Sequence, residues 1–164
     1  MFRHHFQALL GLALLLLTLI TWSCQNPGFW RGPITAAEAD RYMVAVEKLP
    51  LSKDERDATL AAVRAFMAED DGHPFYMLNL MRFNPALRPI EGAPMTFAGT
   101  PQESNAHYEE QVMPLLFKVG GYPAYAGSIQ GRNVLSPEAE VNDWSRLLLV
   151  RYPSRHAFME LMSN

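Results

Sequence analysis

Apolar residues fill the N-terminal part of the chain, and the stretch from Phe6 to Trp22 holds no charged residue. Its length is at the short edge for a membrane-spanning helix and within the usual range of a secretory signal. The pattern therefore predicts a signal peptide or membrane anchor over residues 1–23. A tether that contains proline and glycine, residues 24–34, is expected to follow.

Two stretches with helical spacing come next and form a predicted helical pair over residues 35–71. The first opens on Thr35 with Glu38 three residues later, and the second opens on Ser52 with Glu55, so both begin with a capping-box pattern. Their apolar stripes are predicted to consist of Tyr42, Met43, Val46 and Leu49 in the first helix and of Leu60, Val63, Phe66 and Met67 in the second.

From His73 onwards the pattern changes to that of strands. "PFYMLNLMRF" and "SRLLLVRYP" carry large apolar residues on both alternating faces, which predicts strands that are covered on both sides. "PAYAGSIQGRNV" predicts a weaker strand, in which Gly127 and Gly131 indicate a bulge or a close approach of backbone.

Two further helices are predicted among these strands. "SNAHYEEQVMPLLFKVGG" lies between the first two strands, and Pro114 is expected to bend or split it. "SRHAFMELM" follows the last strand and begins at a Ser154 cap. In the first of these helices the spacing places Tyr108, Val112, Leu115 and Val119 together, and in the second Phe158, Leu161 and Met162 are predicted to face inward.

The order strand, helix, strand, strand, helix predicts an α+β fold, namely a ferredoxin-like βαββα unit that lacks its last strand. Helices can cover only one face of such a small sheet, whereas two of the strands are apolar on both faces. The second face therefore needs a partner sheet, and a homodimer is expected.

Three segments, "FYMLNLMRF", "HYEEQVMPLLFKVGGYPAYAGS" and "WSRLLLVRYPSRHAFMELM", together resemble the uncharacterised DUF thirteen-thirty family of the dimeric α/β-barrel superfamily. The resemblance spans residues 73–164 and is most specific where the Trp144 strand runs into Tyr152. It implies a ferredoxin-like domain whose sheet faces that of a second copy in a dimeric α/β barrel. Because family members continue into a fourth strand, it also implies that a chain ending at Asn164 is C-terminally truncated. The alternative is an unpaired sheet edge.

Charge and cysteine content exclude several classes of partner. The formal net charge is -3, and no run of lysines or arginines is present to follow a phosphate backbone, so no nucleic acid is expected. The single cysteine, Cys24, excludes an internal disulfide and a cysteine-based zinc site. His107 and Glu110 have a spacing that can place both on a metal, but a solvated helix face is the expected state. We therefore expect no metal and no cofactor.

Cys24 stands where the apolar run ends, in "TWSC". This resembles the end of a bacterial lipoprotein signal, in which a cysteine after a small residue, here Ser23, is acylated and becomes the new N-terminus. Thr21 and Trp22 depart from that pattern. The resemblance implies lipidation of Cys24, contact with the lipid bilayer through the N-terminus, and a place on the periplasmic side of the bacterial cell envelope. The alternatives are an uncleaved anchor and an ordinary signal with an incidental thiol.

Polar residues interrupt the two well-marked strands, with Asn79 and Arg82 in the first and Arg146 and Arg151 in the last. A buried polar group without a partner costs about 1–3 kcal/mol, so either protein groups or a ligand must satisfy such residues. Near a strand end, a guanidinium can bind a carboxylate through two N–H groups at once.

One hypothesis is that the domain binds a small, partly apolar acid. Its carboxylate would lie near Arg82 or Arg151 and its apolar part against Trp144 and Tyr125, so these four residues and Asn79 are the predicted ligand-binding residues. The alternative is that the arginines pair with acidic residues and pin the sheet to a helix. The candidate acidic partners are Asp143, Glu109 and Glu110.

The stretch from Asn84 to Ser104 is rich in proline and has no usable periodicity, which is typical of a long loop. It is either a surface loop or a lid over a barrel mouth, with Met95 and Phe97 as the residues that a lid would bury.

Three classes of function remain open. The first is a module that binds a small molecule at the membrane surface. The second is an enzyme, because the superfamily that the chain resembles includes cofactor-free oxygenases and isomerases. The third is a structural or assembly-partner lipoprotein. No serine stands in a Gly-x-Ser-x-Gly setting, and no catalytic residues are predicted.

Overall fold

The computed structural model describes residues 2–49, 51, 53–88, 98–131, 134–135 and 143–163. The fold is α+β, and the chain divides into two compact units, which we call unit 1 (residues 1–75 and 152–164) and unit 2 (residues 76–151). The elements in chain order are α1 (Phe2–Gln25), α2 (Gly28–Arg31), α3 (Ala36–Val46), α4 (Lys53–Ala68), β1 (Phe75–Met81), α5 (Pro101–Lys118), β2 (Tyr122–Ser128), β3 (Arg146–Tyr152) and α6 (Arg155–Met162).

Helix α1 contains the N-terminal apolar run. From His4 to Gln25 it is long and apolar enough to cross a membrane, a test that secretory signals also pass. Its large apolar side chains are exposed, as is Cys24 in its last turn. The structure therefore has the helix that an N-terminal signal or anchor requires.

Helices α3, α4 and α6 form the core of unit 1. Four buried side chains meet there: Met43 and Val46 from α3, Met67 from α4 and Met159 from α6. The apolar stripes predicted for α3 and α4 are confirmed, since their remaining members pack half-buried against this cluster.

The inward face of α6 differs in part from the prediction. Phe158 packs against the core as predicted, but the buried residues of the helix are His156, Ala157 and Met159, while Leu161 and Met162 are half-buried. The Ser154 cap is confirmed by the bond that its Oγ accepts from the amide of Ala157.

The capping box at the start of α3 is also confirmed. Thr35 Oγ1 accepts from the amide of Glu38, and Glu38 Oε2 accepts from the amide of Thr35 at 2.9 Å and from its hydroxyl at 2.7 Å. Ser52, the cap predicted for α4, lies outside the described residues.

Replacing Thr35 by alanine is expected to lower the free energy of unfolding by about 1 kcal/mol, because the first turn of α3 loses its side-chain acceptor. Denaturant unfolding of the full chain in detergent micelles measures this. Thr59→Ala, at a half-buried position in the interior of α4, is the matched control. It removes the same atoms away from a helix start, and it is expected to change stability less because a helix interior favours alanine over threonine.

The Thr35–Glu38 capping box also makes the free energy of unfolding depend on pH. Hydrogen bonds from the backbone and side chain of Thr35 hold the pKa of Glu38 below its usual value. Their contribution is present above the carboxyl's unfolded pKa and is lost as the pH falls through the folded pKa. The cost of Thr35→Ala should therefore shrink on acidification, and a cost that stays constant to low pH would contradict this account.

The sheet has three strands in the order β1-β3-β2. Strands β2 and β3 are antiparallel, with Tyr122 opposite Arg151 and Ser128 opposite Arg146. The register shifts between Pro123 and Tyr125, so the irregularity predicted for β2 is present, but it lies at the proline end of the strand and not at the glycines.

Helix α5 begins earlier than predicted, at a Thr100 cap with Glu103 as its capping-box partner. It runs to Lys118 as one helix with Pro114 inside it, so of the two expected effects of Pro114, a bend or a split, the split does not occur. Leu116 is its buried residue, and Tyr108 is exposed.

The two faces of the sheet differ in how far their side chains are buried. In β1 the half-buried residues alternate with Tyr76, Leu78 and Leu80, all exposed. Tyr125 of β2, also exposed, lies opposite Leu149 of β3. We call this exposed side, formed by Tyr76, Leu78, Leu80, Leu147, Leu149, Tyr125 and Arg151, the open face. The strands were predicted to be covered on both faces. Within the described chain one face is covered and the open face is not.

Candidate functional site

A cleft of about 400 Å³ lies in unit 2, where the chain leaves β1 and passes the first turns of α5. We call it the β1–α5 cleft. Its polar and charged lining comes from Arg82, Asn84, Arg88, Ser104, Asn105 and Tyr108. Among the described residues two arginines and no acidic side chain line it.

The contacts of Arg82 at the edge of this cleft include a hydrogen bond and a ring contact. Its Nε donates to the carbonyl oxygen of Asp143 at 2.7 Å, and its guanidinium carbon lies 5.5 Å from the centre of the Trp144 ring. A cation over an indole face is attracted by the negative electrostatic potential of the ring. Arg82 and Trp144, both predicted site residues, are therefore brought together by the structure.

The start of α5 supplies the opposite wall. The Thr100 cap with Pro101 directly after it fixes where the helix starts, and one turn on, Ser104, Asn105 and Tyr108 line the cleft. The predicted site lacks these residues, because the prolines before Thr100 make the beginning of this helix resemble a loop. The Thr-Pro-x-Glu pattern of residues 100–103 was the signal that marks the start.

Beside this cleft lies a smaller one of about 200 Å³, in which Arg146 pairs with Glu109. Arg146 Nε donates to Glu109 Oε1 at 2.9 Å, and an Nη donates to Oε2 at 2.7 Å. Both side chains are about four-fifths covered. Arg146 therefore pairs with an acidic residue and pins the sheet to a helix, which is the alternative to ligand binding.

The remaining predicted site residues lie elsewhere in unit 2. Asn79 is on the half-buried face of β1 and donates to the carbonyl oxygen of Leu148 at 3.2 Å. Arg151 places its guanidinium carbon 5.7 Å from the ring of Tyr122, and Tyr125 lies on the open face. None of these lines the β1–α5 cleft.

Two other candidates from the sequence can be placed. His107 and Glu110 are exposed on α5 with Nδ1 and Oε2 4.0 Å apart, as expected of a solvated helix face. In the described part of the chain no group of three or more potential metal ligands occurs. Met95 and Phe97, on which the lid hypothesis depends, lie outside the described residues.

Unit 1 contains a polar cluster that the sequence did not indicate. His156 is 1% exposed, and neither ring nitrogen has a hydrogen-bond partner among the described residues; Glu38 Oε1 is 4.0 Å from Nδ1. Tyr42 stands edge-on to the imidazole, and its pKa is raised by burial and by nearby Glu160. Arg31 pairs with Glu160 at 2.8 Å and lies 3.9 Å from Glu38, so one arginine stands with both carboxylates of this cluster.

Comparison with known proteins supports the fold without adding an activity. No family model matches the chain, and no curated protein matches it at a significant level. A crystal structure of RPA0582, a protein of unknown function from Rhodopseudomonas palustris, is similar with a TM-score of 0.52 and 25% identity, over 63% of this chain and 73% of that chain. The methylated form of the same protein gives a TM-score of 0.53 at 25% identity, over 63% and 72%. The chain thus shares an α+β fold with a protein of unknown function.

Proposed function

We propose that the protein is a membrane-tethered domain that binds a small, partly apolar carboxylic acid in the β1–α5 cleft. The observation that carries this is the pair of arginines, Arg82 and Arg88, in a cavity with no acidic lining among the described residues. The volume of about 400 Å³ is within the range of small-molecule sites. Charge-assisted bonds from guanidinium to carboxylate are about twice as strong as neutral ones, which favours an acid as the ligand.

The rest of the lining suits such a ligand. Met81, Phe83 and Leu87 provide apolar surface for a ring or a short chain, while Ser104 and Asn105 can hydrogen-bond a carboxylate oxygen. Tyr108 supplies both an aromatic ring and a hydroxyl. Apolar walls with a few convergent polar groups are the usual composition of a small-molecule site.

We propose further that the sheet of unit 2 is the ferredoxin-like half of a dimeric α/β barrel. In support, β3 lies between β1 and β2, the two strands that α5 connects, which is the split arrangement of that unit. A second copy, packed sheet to sheet, would cover the apolar side chains of the open face.

The tethering part of the proposal places the domain on the exported side of a bacterial cell envelope. It is supported by the length and apolar character of α1 and by the exposed Cys24 in the last turn of that helix. Either a retained α1 or an acyl chain on Cys24 would hold the protein at the bilayer, and several acyl chains would hold it firmly.

Substituting Arg82 by methionine is expected to weaken acid binding by at least about tenfold, since a hydrogen bond to a charged group contributes about 1.5–3 kcal/mol. Methionine retains an apolar stem. The measurement is the shift in melting temperature of the full chain with benzoate, phenylacetate or hexanoate, with benzamide as the neutral partner of benzoate. Arg64→Met, at an exposed position on α4 in unit 1, is the matched control and should leave the shift unchanged.

The outcome at Arg151 distinguishes two places for the site. If Arg151→Met abolishes the shift while Arg82→Met does not, the acid binds at the open face and the β1–α5 cleft is not the site. If none of the three acids stabilises the wild-type protein, the binding proposal fails. Equal shifts with benzoate and benzamide would remove the role assigned to the carboxylate.

A further inference from the structure

Helix α2 carries two exposed aromatic side chains. Phe29 is 79% exposed and Trp30 is 58% exposed, although the helix has only four residues. Trp22, in the last turns of α1, lies with its ring centre 5.8 Å from that of Phe29. Exposed apolar surface that is contiguous in this way usually marks a contact with a partner or a membrane.

These aromatic residues stand on a backbone that is fixed to unit 1. Gly28 approaches Gly72 so closely that a Cβ at Gly28 would overlap the carbonyl oxygen of Gly72. Gly72 has φ +74°, a conformation that favours glycine. At the other end of α2, Arg31 pairs with Glu160 of α6 at 2.8 Å. The segment predicted to be a tether therefore includes a helix that is attached at both ends.

The chemistry of the segment fits the boundary between lipid and water. Tryptophan is enriched at that boundary because its ring is apolar and its N–H is polar. The chain has no aspartate or glutamate before Glu38, so no acidic residue of this segment opposes contact with an anionic membrane. The segment also follows directly after α1, the helix long and apolar enough to enter a bilayer.

We propose that Phe29 and Trp30 form an interfacial membrane anchor, seated among the lipid headgroups, which holds unit 1 in one orientation at the membrane surface. In a protein that keeps α1, Trp22 belongs to the same anchor. The anchor itself needs only the two residues of α2, which remain in the protein whether or not the chain is cut before Cys24. This inference rests on the proposed tethering and adds to it the part of the domain that contacts the lipid headgroups.

The depth of Trp30 in a bilayer tests the anchor. The chain has three tryptophans, so Trp22→Phe with Trp144→Phe leaves Trp30 as the single reporter. The full chain is reconstituted into vesicles of phosphatidylethanolamine and phosphatidylglycerol, with or without lipids brominated near the headgroup end of the acyl chain. Flotation of the vesicles measures tethering, and bromine quenching measures depth. The matched control is Trp22→Phe with Trp30→Phe, in which only Trp144 reports.

The expected result is flotation, with bromine quenching of Trp30 at least about twice that of Trp144 and weaker quenching of Trp30 by acrylamide in the water. Protein that floats with Trp30 open to acrylamide and unaffected by bromine would overturn the anchor and leave tethering in place. Protein that does not float would overturn tethering itself. If acrylamide and bromine both fail to reach Trp30, a protein partner or second copy covers it, which also overturns the anchor.

Discussion

Leu78→Asp is expected to separate the two copies of the proposed sheet-to-sheet dimer into monomers. Leu78 lies on the open face of the sheet and is 55% exposed in the single chain. In a symmetric dimer the same patch is used by both copies, so each substitution acts twice. Burying a leucine contributes about 2 kcal/mol, and two copies give about 4 kcal/mol, which is nearly a thousandfold in the dissociation constant. An unpaired carboxylate in the interface adds to this loss.

Light scattering and sedimentation of the full chain in detergent, over a series of concentrations, measure the oligomeric state. Val44→Asp is the matched control, because Val44 on α3 is 52% exposed but belongs to unit 1 and is not one of the residues of the open face. It should leave the dimer intact. A wild-type protein that is monomeric at all concentrations, or a Leu78→Asp variant that remains dimeric, would contradict the proposed barrel.

The secondary structure of this chain could be predicted largely from the spacing of apolar residues and from caps. Thr35 with Glu38 and Ser154 mark helix starts that the structure confirms. Thr100 was overlooked because the prolines before it made the surrounding segment look like one long loop. Pro114 has no amide hydrogen to donate, but α5 tolerates this loss and continues to Lys118.

The partner of each helix was harder to predict than the helix itself. The spacing of Phe158 and its neighbours shows that α6 has an apolar face but does not show which apolar surface it meets. In the structure α6 contributes Met159 to a core made with α3 and α4. That choice depends on contacts between residues far apart along the chain, which periodicity within one segment does not contain.

The predicted site was recovered only in part for a similar reason. The sequence showed that arginines interrupt both strands, and the structure gives each a different neighbour: Glu109 for Arg146, Trp144 for Arg82 and Tyr122 for Arg151. The neighbours that each arginine meets depend on strand register and on the face that α5 presents. Neither follows from alternation along a single strand, since alternation fixes the side of the sheet but not the neighbour.

Met159→Ala is expected to lower the free energy of unfolding of unit 1 by about 2–5 kcal/mol, the usual range for truncating a large buried side chain to alanine. Met159 is 0% exposed and packs with Met43, Val46 and Met67, so the removed atoms leave a cavity between three helices.

The matched control is Met162→Ala, the same change on the same helix at a half-buried position, where less contact is lost. Denaturant unfolding of the full chain in micelles, followed by the fluorescence of Trp30 in a Trp22→Phe, Trp144→Phe background, reports on unit 1. Equal losses for the two methionine variants would contradict the assignment of Met159 to the core. The helix itself favours alanine over methionine, so any loss measured at position 159 arises from packing and not from helix propensity.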